Sequence, residues 1–253
     1  MNQTMYEQNV FFPDVFKGCK NECVYCVPSF QRQAKRQKQR CKILNEKGIP
    51  KCYTFEPHFH GMRLYNPAPK TKEGQFVFFP KGGDVSFCFA PDFLEMLKFC
   101  ETNPQTTFLI QSKNPDYFWN FRYPQNVILG ITLETDLDEF DTPSKYHHYR
   151  EISLATAPMK RAIDFLNVNH SRKEVTIEPI LKFSNNLINW LQFCKPEFIY
   201  VGYDTKKCKL PEPKLSDTLE LIRRLEELGF EVRRKTMRKA WYEILDCEKE
   251  GNK

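Results

Sequence analysis

From about residue 70 onward, short continuous apolar runs alternate with stretches whose apolar positions recur every three or four residues. QFVFFP (75–80) is apolar on both faces, as a strand covered on each side must be. PDFLEMLKFCETN (91–103) places Phe93, Leu94, Leu97 and Cys100 at helical spacing, with a proline suited to the first turn. TTFLIQSK (106–113), NVILGITLE (126–134), EVTIEPIL (174–181) and EFIYVGYD (197–204) read as further strands. Between them, NPDYFWNF (114–121) predicts a short helix, the segment 144–166 carries helix, and NNLINWLQFCK (185–195) is another helix. SDTLELIRRLEELGF (216–230) has a serine cap, an apolar face from Leu219 to Leu228 and Gly229 to stop it. EVRRKTM (231–237) adds a last strand, and NVFFPDVF (9–16) is the expected first one.

This β/α alternation with short connections predicts one α/β domain built on a parallel sheet, open or closed into a barrel. In either architecture, chemistry collects on the loops that follow the C-terminal ends of the strands. The loop after the first expected strand is GCKNECVYC (18–26). A long segment, KCYTFEPHFHGMRLYNP (51–67), precedes the second strand and is expected to cap the site.

Composition narrows the class. Of 253 residues, 41% are hydrophobic and 28% charged, which is globular rather than disordered. No apolar run reaches the ~20 residues of a membrane span, and the start lacks a basic region followed by an apolar one. A cytoplasmic protein without membrane contact is therefore expected. The net charge of +6 is uneven: QRQAKRQKQRCK (31–42) holds six Lys or Arg and no acid, and EVRRKTMRKAWYE (231–243) five against two. The remaining 27 of the 38 basic residues face 30 of the 32 acids, so the excess sits in those two segments. Such a distribution suits an anionic partner and equally suits a solvated basic helix face.

Ten cysteines in such a chain point to metal ligands, redox groups or core residues rather than disulfides. Only Cys19, Cys23 and Cys26 are grouped. Three local thiols fall one short of a structural zinc site, unless His58, His60 or a distant cysteine completes it. They also suffice to hold a [4Fe–4S] cluster with one iron open to another ligand. Cys41 and Cys52 read as core or surface thiols, so a single cluster is expected.

The Cys-x3-Cys-x2-Cys spacing, with Tyr25 just before the last cysteine and a strand before the first, resembles the cluster loop of radical S-adenosylmethionine (SAM) enzymes. KGGD after the second strand resembles that superfamily's glycine-glycine-glutamate element, with Asp84 in place of the glutamate. GDVSF, LIQSKNP, NVILGITLE, VTIEPIL and YVGYD together resemble a small phage-associated group of largely unassigned function; spore photoproduct lyase is a more distant likeness. The resemblance implies a partial (β/α)6 TIM-type barrel as a single domain over 1–253, with its core at about 9–240, an insertion at 41–72 and a tail at 244–253. It implies that Cys19, Cys23 and Cys26 hold a [4Fe–4S] cluster. Tyr25, Gly82, Gly83, Asp84, Thr132, Glu134, Glu178 and Gly202 would then bind SAM. The implied activity is reductive cleavage of SAM to a 5′-deoxyadenosyl radical that abstracts hydrogen from a substrate, with electrons from a donor such as flavodoxin or ferredoxin.

For the substrate, the basic segment at 31–42 and aromatics such as Tyr53, Phe55, Phe59, Trp119 and Tyr123 suit nucleic acid or a nucleotide. A peptide or small metabolite remains the rival. From another class, a non-enzymatic zinc-stabilised nucleic-acid-binding protein stays open. No residue is singled out as catalytic.

Overall fold

The computed structural model describes residues 12, 14–36, 40–65 and 71–244. Residues 9–11 and 13 of the expected first strand, residues 37–39 of the basic segment, and all but the first residue of the expected tail lie outside them; of the described part of 9–16 only Phe16 is strand, so the first strand begins later than expected.

In chain order the elements are β1 (Phe16–Gly18), a π-helical turn (Val27–Gln31), α1 (Arg32–Lys35), α2 (Lys51–Thr54) and β2 (His58–Phe59). Then follow β3 (Gln75–Phe78), β4 (Gly82–Gly83), α3 (Ala90–Glu101), β5 (Thr106–Ser112) and β6 (Val127–Thr132). The chain continues through α4 (Tyr149–Ile152), α5 (Pro158–Leu166), β7 (Lys173–Ile177), α6 (Asn186–Cys194), β8 (Phe198–Val201), α7 (Leu215–Glu227) and β9 (Glu231–Arg234).

Six strands form one parallel sheet in the order β3-β5-β6-β7-β8-β9. Neighbours in space are successive along the chain, so the sheet is wound in one direction and curls into a half-barrel. The expected α/β partial barrel is the observed fold. The opening strand does not join this sheet. It forms a small three-stranded one, order β2-β1-β4, antiparallel to β2 and parallel to β4.

Period two decides what each face of the large sheet does. Phe108, Ile110, Val127, Leu129, Val175, Ile177, Ile199 and Val201 point outward into the main core. There they meet Phe93, Met96, Leu97 and Cys100 of α3, Phe165 of α5, Leu187 and Leu191 of α6, and Leu221, Ile222 and Leu225 of α7. The concave face is apolar only at one end, where Phe76, Phe78, Leu109, Ile128, Phe198 and Tyr200 pack together. Towards the C-terminal ends it turns polar, at Gln111, Thr132, Glu174 and Thr176.

Two local expectations for α7 are corrected. Leu219 and Leu228 are exposed, because the buried stripe runs through Leu221, Ile222 and Leu225. Ser216 is not the cap: the helix starts after Lys214, and the Leu215 amide donates to Glu243 at 3.1 Å. Gly229 does end the helix region, with φ +87. In α3, Leu94 faces solvent while Met96 and Phe99 are buried.

The small sheet depends on close backbone approach. A Cβ on Gly83 would lie 2.4 Å from the Gly18 carbonyl oxygen, and one on Gly18 (φ +94) 2.2 Å from that of Glu56. Gly83→Ala is therefore expected to destabilise the fold by about 2–3 kcal/mol through overpacking. Gly74→Ala, with φ +70 but open space around it, should cost only ~1 kcal/mol of left-handed strain. Urea midpoints decide the matter; equal losses would mean that β1 and β4 are not so close.

Candidate active site

The cysteine loop leaves β1 at Gly18 and is pinned from two sides. The Cys19 amide donates to the Phe55 carbonyl at 3.3 Å. On the other side, the Val24 amide donates to Ile152 O at 3.0 Å and the Leu154 amide to Asn21 O at 2.8 Å. Within the loop the Cys26 amide donates to Cys23 O at 2.9 Å, and Cys23 Sγ lies 3.1 Å from Ser153 Oγ. Cys23 is buried; Cys19 and Cys26 are half-buried. Burial, then the charge of Cys23, pushes the Cys26 thiol up to about 12. Burial, then the Asp84 carboxylate, pushes Cys19 higher still, and the other two thiols add to this.

The thiols therefore sit close enough to act on one another. Yet among the described residues, the one set of three or more such side chains with ligand atoms all within 4.8 Å is Cys41, Cys52, His58 and His60. Cys19, Cys23 and Cys26 do not form a second such set. Three soft thiolate donors on one loop suit an iron–sulfur cluster, which they would hold together. His58 and His60 are committed elsewhere, so they do not complete a zinc site with these cysteines.

Beside the loop lies a buried ionic cage. Glu134, fully buried just past β6, accepts from Tyr25 Oη at 2.5 Å, from Arg161 at 2.8 Å and from the Lys113 ammonium. Tyr149 Oη lies 3.2 Å from the same carboxylate and accepts from Arg161 at 2.6 Å; Lys113 also donates to Tyr25 Oη at 2.6 Å. Arg161 reaches the Thr132 carbonyl as well. Burial opposes the charge on Glu134, but Arg161 and Lys113 outweigh it and bring its pKa down to about 2. The cage holds two cations against one anion, and Lys113 acts electrostatically on both Cys23 and Cys26.

Asp84 ties the loop to the sheet. One oxygen accepts from Asn21 Nδ2 at 3.0 Å and the Lys113 amide at 2.8 Å. The other accepts from Ser112 Oγ at 2.6 Å and the Ser86 amide at 3.0 Å. A carboxylate offers about four such positions, so all of Asp84's are filled from within the chain. Gly82 and Gly83 are taken up in the same way: the Gly82 amide donates to Asp14 at 3.1 Å, and both pair with β1.

Farther round the concave face, Glu178 pairs with Lys235, and Gly202 packs beneath them, its virtual Cβ 3.0 Å from Lys235 Cβ. Glu174 is fully buried there, accepting from Thr176 Oγ1 at 2.5 Å, and burial raises its pKa to about 8. A Cβ on Gly130 would touch its carboxylate at 2.4 Å, which explains the glycine. Thr132 shares this face, almost buried.

The second basic segment is consumed internally. Arg233 pairs with Glu231 and lies 3.7 Å from the Phe198 ring centre, Arg234 pairs with Glu226, Lys235 with Glu178 and Arg238 with Glu212. It forms no free patch. Phe55 is buried in the packing, and Trp119 Nε1 donates to the Asp164 carbonyl at 2.9 Å. Lys113, Tyr149, Ser153 and Arg161 are site residues that the sequence reading did not select. Arg161 carried a signal: it sits in register with Pro158, Ala162 and Phe165 on the buried face of α5.

Replacing Glu134 by Gln would leave two buried cations unopposed and should cost about 3–5 kcal/mol at neutral pH. Because its folded pKa lies below the ordinary 4.5, its stabilisation is complete above pH 4.5 and is lost as the pH falls towards about 2. An acid titration followed by circular dichroism should show wild type losing stability there faster than E134Q. Glu174 has the opposite sign. Its raised pKa means that the unfolded state gives up its proton first, so wild type should lose stability as pH rises from about 4.5 to about 8. The opposing groups there are Lys235 and Arg233, with Glu178 adding to the rise. Tm measured across that range should fall in wild type and stay flatter in E174Q.

No family model matches the chain, and no curated protein matches it in sequence. Two solved structures of Streptococcus suis SuiB are similar in fold. The one bound to S-adenosylmethionine shares 12% identity over 87% of this chain, TM-score 0.45. The one bound to the precursor peptide SuiA shares 11% over 88%, TM-score 0.47. The chain spans less than half of their length, 45% and 47%.

Proposed function

We propose that this chain is a radical SAM enzyme whose [4Fe–4S] cluster is held by Cys19, Cys23 and Cys26. The observation that carries the reading is the placement of these thiols. They share one loop that follows the opening strand, and Asn21 and Tyr25 of that loop bond Asp84 and Glu134 beside the C-terminal ends of a parallel half-barrel. When bound, the cluster and SAM supply a 5′-deoxyadenosyl radical able to take hydrogen from an unactivated carbon.

The chain's own residues prepare that site. Asn21, Ser153 and the Phe55 and Ile152 carbonyls fix the loop. Asp84 positions Asn21 and Lys113 through its hydrogen bonds. The excess positive charge of the Glu134 cage offsets thiolate charge, and Tyr25 joins the loop to that cage. Thr132, Gly82, Gly83, Glu178 and Gly202 are the proposed contacts to SAM along the strand ends. An external one-electron donor of flavodoxin or ferredoxin type completes the system.

For the substrate, the case for nucleic acid or a nucleotide now rests on the first basic segment, where Arg32, Lys35, Arg36 and Arg40 are exposed just past the cysteine loop. Nucleic acid that copurifies and is released by salt would favour it over a peptide or small metabolite.

The deciding experiment is anaerobic reconstitution. About four irons per chain with matching sulfide, and 5′-deoxyadenosine formed from SAM on reduction, are expected in wild type and lost in C23A. K113A should keep the iron but slow SAM cleavage at least ~10-fold, the equivalent of one charge-assisted contact. A chain that takes up no labile sulfide and leaves SAM intact would overturn the reading.

A further inference from the structure

The insertion between β1 and β3 brings together four side chains that the proposed activity does not use. Cys52 Sγ lies 3.2 Å from His58 Nε2 and 3.4 Å from His60 Nε2. Cys41 Sγ lies 3.6 Å from His58 Nε2, and the two Nε2 atoms are 2.9 Å apart. All four ligand atoms fall within 4.8 Å of one another. In a tetrahedron with Zn–S of about 2.3 Å and Zn–N of about 2.0 Å, sulfur and nitrogen stand ~3.5 Å apart and the nitrogens ~3.3 Å. The four atoms therefore need to part by only a few tenths of an ångström to admit an ion.

Local structure explains the convergence. Cys52 sits in α2, which ends at Phe55 in a left-handed conformation (φ 62), so the chain turns back on itself. His58 and His60 are two residues apart on and just after β2, and so face the same side. Cys41 is brought in by the closed turn 44–50: Leu44 bridges Pro50, and Asn45 accepts from the Lys47 and Ile49 amides at 3.0 Å each. Asn45 Nδ2 then donates to Glu56 at 2.7 Å.

The orientation of His58 is fixed from outside the group. Its Nδ1 lies 2.7 Å from the Glu56 carbonyl, which can only accept, so Nδ1 carries the proton and the Nε2 lone pair points at the other three ligands. Cys41, Cys52 and His58 are buried, and His60 half-buried. Two thiolates neutralise a divalent ion, which removes the cost of burying its charge. Two sulfur and two imidazole ligands in a closed tetrahedron select zinc among the common divalent metals.

We propose that Cys41, Cys52, His58 and His60 form a closed structural zinc(II) site that fastens the 41–60 segment to β1. The register Lys17↔His58 puts this site against the strand that leads into Cys19, and the Phe55 carbonyl that holds Cys19 belongs to the same segment. The site is separate from the three-cysteine loop and stands whether or not that loop binds a cluster.

The full chain, purified and dialysed against metal-free buffer, is assayed for zinc by mass spectrometry. The expected result is about one zinc per chain in wild type and in the C19A/C23A/C26A variant, and at least a ten-fold loss in C41S/C52S. Because the last variant risks misfolding, the C19A/C23A/C26A chain is also stripped of zinc and loaded with cobalt(II). Intense tetrahedral d–d bands with thiolate-to-cobalt charge transfer are expected. Zinc that survives C41S/C52S, zinc lost with the three loop cysteines, iron in its place, or a weak octahedral cobalt spectrum would each overturn the site.

Discussion

The buried carboxylate of Glu134 is the constraint on which the site depends. It gathers a lysine from the end of β5, an arginine from α5, a tyrosine from α4 and a tyrosine from the cysteine loop. Each of those groups would be costly to bury alone; around one shared anion they become the floor of the concave face. The same contacts fix where the loop can lie. Tyr25 is two residues from Cys23 and next to Cys26, so the cage holds the thiols by their neighbour.

Asp84 does a similar job by another means. Among the described residues it has no cation as ion-pair partner, and its four hydrogen bonds reach the loop, the start of the next turn and the end of β5. Together the two carboxylates turn a curled sheet into a frame with one fixed edge. The glycine contacts between β1 and β4 bring the loop near enough for both to reach it.

The large sheet was legible because buried parallel strands are continuous apolar runs, and α3 and α6 because their periodicity is strong. What escaped was whatever depended on distant chain. The start of α7 is capped by Glu243, 28 residues away, so the nearby Ser216 misled. Lys113 and Tyr149 look like ordinary polar residues until Glu134 is placed between them. Arg161 was the exception, a charged residue on an otherwise buried stripe. Cys41 and Cys52 read as core or surface thiols and His58 and His60 as candidate partners of the loop cysteines, because no regular spacing links the four to one another. The charge at 231–243 left two readings open because its acidic partners Glu178, Glu212 and Glu226 lie outside that window.

The three loop thiols are neighbours in sequence, whereas the groups that tie their loop to the sheet come from afar: Ser153 and Asp84 are 130 and 63 residues from the loop positions they bond. Local contacts form early in folding and distant ones late. A chain still emerging from synthesis thus offers three clustered soft ligands with none of the cage in place, and any thiophilic ion can occupy them first. If those thiols hold the proposed cluster, selectivity for it would be a property of the finished fold, and the order of maturation, fold before metal, would matter as much as affinity.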